Sequence, residues 1–404
     1  MAVPPTGQMP LPANQRRGTK TYEVDDAARS RTPSARSWIL VYEIRSDKGR
    51  HPGDWVFRIP DDITASVNDF IIGRSGVSYG GELMGHSLRI LSESQVRALY
   101  EPAAGWESVA AAYREFGRSP DVQSRPSVMT MGAPLVPGQD TRVQFRVKGA
   151  SVPSCDATGA FLYTAGHSYM YLWSIDKGVP IGLVALDWLS KRRVALTAAV
   201  GIAELGRRDI DKIVLFGAGP WARQTCEVLA ERWPEAYVVV VTAHPENAAA
   251  FAATMPDNVV AGIDARSAMR GADAAVTLTN ATEPFIHEDY LEPGALLLSM
   301  GNPHEVDVAV LRQSDALLVD DLAYARFQGD IAAWLKRGDL DETELAQRLR
   351  ANIGEVLAGS KPGRIREDER LVTVLQGLTA CDVAIAKTML DRGEAESVGH
   401  LVEL

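Results

Sequence analysis

Residues 212–222 read KIVLFGAGPWA, and this stretch decides the fold. A β-forming apolar run passes directly into GAG and then into ARQTCEVLAERW (222–233), a helical segment. In that setting each small residue serves a separate need. Gly217 permits a tight turn, Gly219 lets a ligand approach the backbone, and Ala222 lets the helix pack close to the strand. With Ala218, Pro220 and Trp221 between them, the turn presents free amides at the positive end of a helix, which suits a diphosphate. The motif reads as a dinucleotide-binding turn.

Outward from it, short apolar runs recur: YVVVVT (237–242), NVVAG (258–262), AAVTLT (274–279), ALLLSM (295–300) and ALLV (316–319), separated by helix-length segments. Strands that are apolar on both faces need helices above and below, so the pattern predicts an α/β fold with a Rossmann-type, doubly wound parallel sheet. An acid that would grip a free ribose diol is expected at the end of the second strand. Thr242, Ala243 and His244 stand there instead. A hydroxyl and an imidazole tolerate a 2′-phosphate, so the cofactor expected is NADP, with NAD as the other option.

Before the turn the texture is α+β. Helices are expected in 92–118, one opened by Ser92 with Glu93 and one by Glu107 with Ser108, followed by strands at 127–131, 143–148, 160–164, 169–174 and 181–186. After residue 320, the spans 322–337 and 341–357 read as helices and 370–391 as one long helix without strands. At the other end, residues 1–20 are proline-rich and expected to be disordered, while 37–45 and 55–59 suit a hairpin.

The balance of 52 acidic against 42 basic residues, net −10 in 404, speaks against nucleic acid and anionic membrane as partners. Three scattered cysteines and seven scattered histidines give neither a disulfide framework nor a metal cluster. No run is long enough to span a membrane and no secretory leader is readable, so a cytoplasmic protein without a metal is expected.

Several stretches resemble the ornithine cyclodeaminase/mu-crystallin family: RRVALTAAVGIAELG, GAGPWAR, TLTNATEP with LEPGALLLSMG, VDDLAYARFQGDI, VLAGSKPGR and GLTACDVAIA, in that family's order from about residue 88 onward. The resemblance implies an N-terminal extension (1–87), a substrate-binding and dimer-forming domain (88–193) completed by helices of 331–404, and a Rossmann domain (194–330). It implies a homodimer that passes a hydride between nicotinamide and the α-carbon of an amino or imino acid.

It also implies residues. Arg125 and Arg193 match arginines used on the substrate carboxylate, and two arginines on one carboxylate fix its position and rotation. Arg146 or Lys148 matches a strand lysine near the substrate; two apart on a strand, they share a face. Ser168 matches a threonine that touches the cofactor, and Thr279, Met300 and Gly301 lie where strands end at the cofactor's edge. Asp382 matches a family aspartate of packing or helix contact.

One departure stands out. Cyclodeaminases carry an aspartate after the LLLSMG-like strand, whereas this chain reads SMGNPHEVDVAVL (299–311), with Asn302 where the acid region begins. Among its neighbours His304 titrates nearest working pH and is the candidate proton carrier; Glu305 and Asp307 are expected to cap the next helix. Loss of the aspartate favours an imine reductase or amino-acid dehydrogenase. The alternatives are a cyclodeaminase-like ammonia lyase and a non-catalytic NAD(P)-binding carrier or accessory subunit.

Overall fold

A computed structural model describes residues 86–134, 142–164 and 167–404; the expected disordered start and the hairpin over 37–45 and 55–59 lie outside them. Six helices position the site: α1 (Pro102–Arg118), α2 (Leu189–Leu205), α3 (Pro220–Arg232), α4 (Leu322–Ala325), α5 (Gly329–Arg337) and α6 (Thr379–Ala395). The first sheet contains β1 (Ser87–Leu91), β2 (Met129–Pro134), β3 (Arg142–Val152), β4 (Ala157–Tyr163), β5 (Ser168–Trp173), β6 (Pro180–Ala185) and a closing strand, His400–Glu403. Its order is the closing strand, then β1, β6, β5, β4, β3 and β2.

Side chains alternate across this sheet. Ala157 and Phe161 of β4 and Met170 and Leu172 of β5 are buried on the face that receives α6. Gly159 and Gly182 let that helix approach: a Cβ on the first would stand 3.1 Å from Val383 Cγ2, and one on the second 2.3 Å from Leu390 Cδ1.

The second sheet holds β7 (Lys212–Phe216), β8 (Tyr237–Val241), β9 (Val259–Ala261), β10 (Ala274–Thr277), β11 (Leu296–Ser299), β12 (Ala316–Val319), β13 (Leu349–Asn352) and β14 (Leu371–Val374). The order is β13, β12, β14, β11, β10, β7, β8, β9, parallel throughout. Every residue of β10, β11, β12 and β14 is buried, as a sheet covered on both faces requires. Ile213 and Leu215 belong to the core cluster that includes α2 and α3, while Val214 and Phe216 belong to the one around Trp334.

The segment after residue 320 corrects the expectation of helices alone. The span 370–391 is not one helix, since its first part is β14, inserted between β11 and β12. The span 341–357 is helix Glu342–Arg348, then β13, then helix Ile353–Leu357. The span 322–337 breaks at Gln328 into α4 and α5, so both sheets, and not the first alone, draw on 331–404. At the other end α1 starts at Pro102, five residues before the expected Glu107, because proline suits a first helical turn.

Candidate active site

At the carboxyl end of β7 the backbone turns at Gly217, whose φ is +116° and whose missing Cβ would lie 2.4 Å from the Leu278 carbonyl oxygen. Only glycine is unstrained there. Gly219 is the N-cap of α3, and a Cβ on it would meet no atom within 4 Å. The space above Gly219 is the floor of a cleft of about 620 Å³ running from Gly217–Gly219 past Thr242 to Thr279 and Asn280. Open backbone, a helix start carrying Pro220, and buried Ala222 beneath it make a fitting seat for a diphosphate. Trp221 stands 41% exposed, with Lys191 Nζ 5.5 Å from its ring centroid.

The far end of the cleft matches the sequence reading in having no lining carboxylate. Thr242 Oγ1 donates to the His244 carbonyl at 2.6 Å, so this hydroxyl braces the turn. The His244 ring is exposed, 3.9 Å from Glu246. A cation missed in the sequence, Arg223, lines the same space: its Nη2 donates to Thr254 Oγ1 at 3.0 Å and its guanidinium lies 5.1 Å from the Phe251 centroid. Its place in GAGPWAR, one residue past the small-residue motif, was the available signal. Ser168, which donates from both N and Oγ to Asp187 Oδ1 at 2.6 and 2.7 Å, is not among the residues lining the cleft.

Between β10 and β11 the expectation for Glu305 is corrected. Asp307 does cap the next helix, accepting from Ala309 N at 2.9 Å. Glu305 instead turns inward, fully buried. It accepts from Thr277 Oγ1 (2.6 Å), Thr279 N (2.7 Å) and Oγ1 (2.6 Å), and Gly301 N (3.0 Å). Burial pushes its carboxyl up to about 7 against the pull of these donors. Gly301 must be glycine, because a Cβ would fall 2.4 Å from the Glu305 carboxylate.

Asp330, at the start of α5, accepts from Ser299 Oγ, His304 N and Glu305 N at 2.8, 2.9 and 3.1 Å. The two acids thereby tie the shortened loop after Met300 to both neighbouring strands. His304 sits in this loop at φ +83°, with Arg337 donating to its Nδ1. Since guanidinium offers only donors, the ring proton belongs on Nε2. Asn302 Nδ2 donates to Asn280 Oδ1 at 2.8 Å, closing the cleft's rim.

Further along the same sheet edge, beyond β11, lies a cluster of cations. Arg146 and Lys148 share the inner face of β3, where Arg146 pairs in register with Tyr163 and donates to its hydroxyl at 3.3 Å. Lys148 Nζ lies 4.5 Å from the Tyr324 centroid and 5.9 Å from that of Tyr163. Among the described residues it has no hydrogen-bond or ion-pair partner. Burial lowers its pKa.

Arg193 of α2 is buried and donates from Nε and Nη2 to Asp382 of α6 at 2.7 and 2.9 Å. Its Nη1 is buried without a partner, 2.6 Å from where a Cβ on Gly377 would stand. Asp320, at the end of β12, accepts from the amides of Asp321 and Gly377; burial raises its carboxyl to about 6. Arg125 is farther out, 45% exposed, donating to Asp321 Oδ2 at 2.9 Å. The structure thus brings Lys148 and Arg193, both candidates from the sequence, together with Tyr163, Tyr324 and Asp320, which the sequence did not single out.

Strand order explains this layout. The glycine turn follows β7, the cation cluster gathers at the ends of β12 and β14, and β10 and β11 lie between them, leading into Thr279 and Met300 just past their carboxyl ends. A dinucleotide with its diphosphate held at Gly219 would have to cross the ends of those two strands to reach the cations. No described helix is long and apolar enough to cross a membrane.

Comparisons with known proteins agree with the fold. The chain is 26% identical over 296 residues to the mouse ketimine reductase mu-crystallin, covering 70% of this chain and 89% of that one. Its fold matches an archaeal alanine dehydrogenase dimer with bound NAD at a TM-score of 0.66 and 22% identity, covering 78% and 99% of the two chains. It also matches the Thermococcus litoralis Δ1-pyrroline-2-carboxylate reductase, in complex with NADH and L-proline, at a TM-score of 0.66 and 21% identity, covering 78% and 100%. The ornithine cyclodeaminase/mu-crystallin family profile matches residues 153–397, more than half of the chain, and the chain belongs to that family.

Proposed function

We propose that this protein is an NADP-preferring oxidoreductase that interconverts an imino acid and the corresponding amino acid. The observation that carries the reading is the pair of unpaired cationic donors, Lys148 Nζ and Arg193 Nη1, at the carboxyl edge of a Rossmann sheet whose glycine turn opens onto a cleft. When bound, the dinucleotide supplies a hydride to the substrate's α-carbon or takes one from it. Gly217 to Ala222 would hold its diphosphate, with Thr279, Met300 and Gly301 beneath the path to the nicotinamide.

The chain's own contribution is orientation and one proton. Arg193 Nη1 takes a carboxylate oxygen, while the bidentate Asp382 pair fixes the guanidinium plane. Lys148 carries the proton exchanged with the substrate nitrogen; burial brings its pKa down towards working pH, where such a group exchanges protons best. Arg146 lines this pocket beside it, and Arg125 guards its mouth. His304, bound to Arg337 at Nδ1, is the weaker proton carrier. Preference for NADP is supported by the absence of an acid among the cleft's lining residues and by Arg223 beside the adenosine end. Reduction is favoured over cyclodeamination because Asn302 offers no carboxylate where cyclodeaminases carry one.

The dimer is supported by the outer face of the first sheet, where Met129, Met131, Phe145 and Tyr169 stand 53%, 52%, 36% and 42% exposed; a patch of this kind marks an interface. Light scattering reads the oligomeric state. The function is tested by following NADPH and NADH absorbance with Δ1-pyrroline-2-carboxylate and with keto acids plus amines. Turnover with NADPH is expected, and cofactor binding without turnover on any of them would favour the carrier.

A further inference from the structure

The Lys148 ammonium is enclosed in an unusual way. A half-buried lysine ordinarily faces a carboxylate, which keeps it charged but occupies its N–H bonds. Here the faces offered to Nζ are aromatic: Tyr324 of α4 at 4.5 Å and Tyr163 of β4 at 5.9 Å from the ring centroids. A ring face attracts a cation through its quadrupole without accepting a specific N–H. The Tyr324 side chain is itself locked, 3% exposed, with its hydroxyl donating to Gln328 Oε1 at 3.2 Å. Its ring rather than its hydroxyl therefore faces Lys148.

We propose that Tyr324, assisted by Tyr163, is a positioning residue that keeps Lys148 protonated and aimed, leaving its N–H donors for the substrate. The inference rests on the reading of Lys148 as a site residue given above. It deepens that reading by naming what replaces a counter-ion. The other charged or titratable groups acting on Lys148 are Asp382 of α6, which favours the cation, and Arg193 of α2 and Arg146 of β3, which oppose it. Asp382 is already engaged by Arg193 through both oxygens. The rings are the contacts left to offset burial and two neighbouring cations.

The test compares Lys148→Ala, Tyr324→Leu and Tyr324→Phe in the full chain, with circular dichroism as a check on folding. Leucine keeps apolar bulk but has no quadrupole; phenylalanine keeps the ring and loses only the hydroxyl. The readouts are the pH profile of imine reduction and the affinity for pyrrole-2-carboxylate, a planar, non-reducible probe, by calorimetry.

Reduction needs the protonated lysine, so activity falls as pH rises through its pKa. Removing the ring lowers that pKa, and in Tyr324→Leu this limb moves to lower pH by roughly 0.5 to 1.5 units, with about three- to tenfold weaker probe binding. Tyr324→Phe restores both. A limb that stays put or moves to higher pH in Tyr324→Leu, or a Tyr324→Phe that behaves like Tyr324→Leu, overturns the proposal. If Lys148→Ala leaves turnover and probe binding intact, the site reading itself fails and this inference falls with it. If Lys148→Ala is inactive while Tyr324→Leu matches the parent, only the positioning role fails.

Discussion

Replacing Asp382 by alanine isolates the Arg193 pair. Both partners are buried, with side chains 6% and 1% exposed, and the contact is bidentate at 2.7 and 2.9 Å. Burial alone works against the guanidinium charge, and the Asp382 carboxylate outweighs it, leaving the pKa raised. Removing the acid leaves a full charge without a partner among Tyr113, Cys381 and Gly377, which costs about 3–5 kcal/mol for a buried pair broken on one side. Domains are stable by only about 5–15 kcal/mol, so the loss is large. Urea unfolding followed by tryptophan fluorescence reads it as a drop in midpoint at constant slope. Exchanging both partners, Arg193→Met with Asp382→Leu, returns stability to near the parent value, since apolar replacement of a buried pair is roughly neutral, yet removes the donor proposed for the substrate carboxylate. An Asp382→Ala protein within about 1 kcal/mol of the parent refutes the reasoning: either water reaches the guanidinium or Asp320 takes over as acceptor, and in both cases the orientation assigned to Nη1 is wrong.

Three further outcomes follow from the geometry. Gly219→Ala puts a methyl group where no atom lies within 4 Å, so stability changes by less than about 1 kcal/mol while NADPH affinity, read by fluorescence quenching, falls at least about tenfold; Gly217→Ala, at φ +116° against the Leu278 carbonyl, loses stability instead. Glu305 holds its proton up to about pH 7 when folded, whereas the unfolded carboxyl releases it near its ordinary value, so the folded state binds more protons between those limits. Parent stability therefore falls relative to Glu305→Gln as pH rises across that window, by up to about 3 kcal/mol, and a gap that does not change with pH in thermal melts counters this. His304→Ala keeps kcat within about threefold if Lys148 carries the proton, whereas general acid catalysis lost at this residue would show as about 10² or more.

The parts legible in the sequence are those where the backbone itself sets the requirement. Gly217 could be read because a positive φ against the Leu278 carbonyl leaves no other residue type there, Gly219 because a bare backbone leaves room for a ligand above it, and the apolar strands because both faces of the sheet are buried. β14 escapes such a reading for a physical reason. Only LQGL separates LVTV from the helical spacing of TACDVAIA, and nothing local shows that this four-residue run sits between β11 and β12 rather than on a helix. The same limit applies to Glu305 and Asp307, two acids before one helix, which the capping rule treats alike. Only the tertiary donors Thr277, Thr279 and Gly301 separate them.

Chemistry at this site is set over still longer distances. Arg193 and Asp382 are 189 residues apart, and the rings around Lys148 come from β4 of the first sheet and from α4, the helix that follows β12 of the second. The sequence places a lysine on a strand, but its charge state depends on partners that only folding brings within reach. In the same way, the missing aspartate after β11 leaves both a changed reaction and a non-catalytic carrier open when seen alone. With Lys148 enclosed by aromatic faces and Asp330 with Glu305 holding the shortened loop, the proposed site keeps a candidate proton carrier and an ordered loop without it. A lost carboxylate then argues for a change of reaction rather than for loss of catalysis.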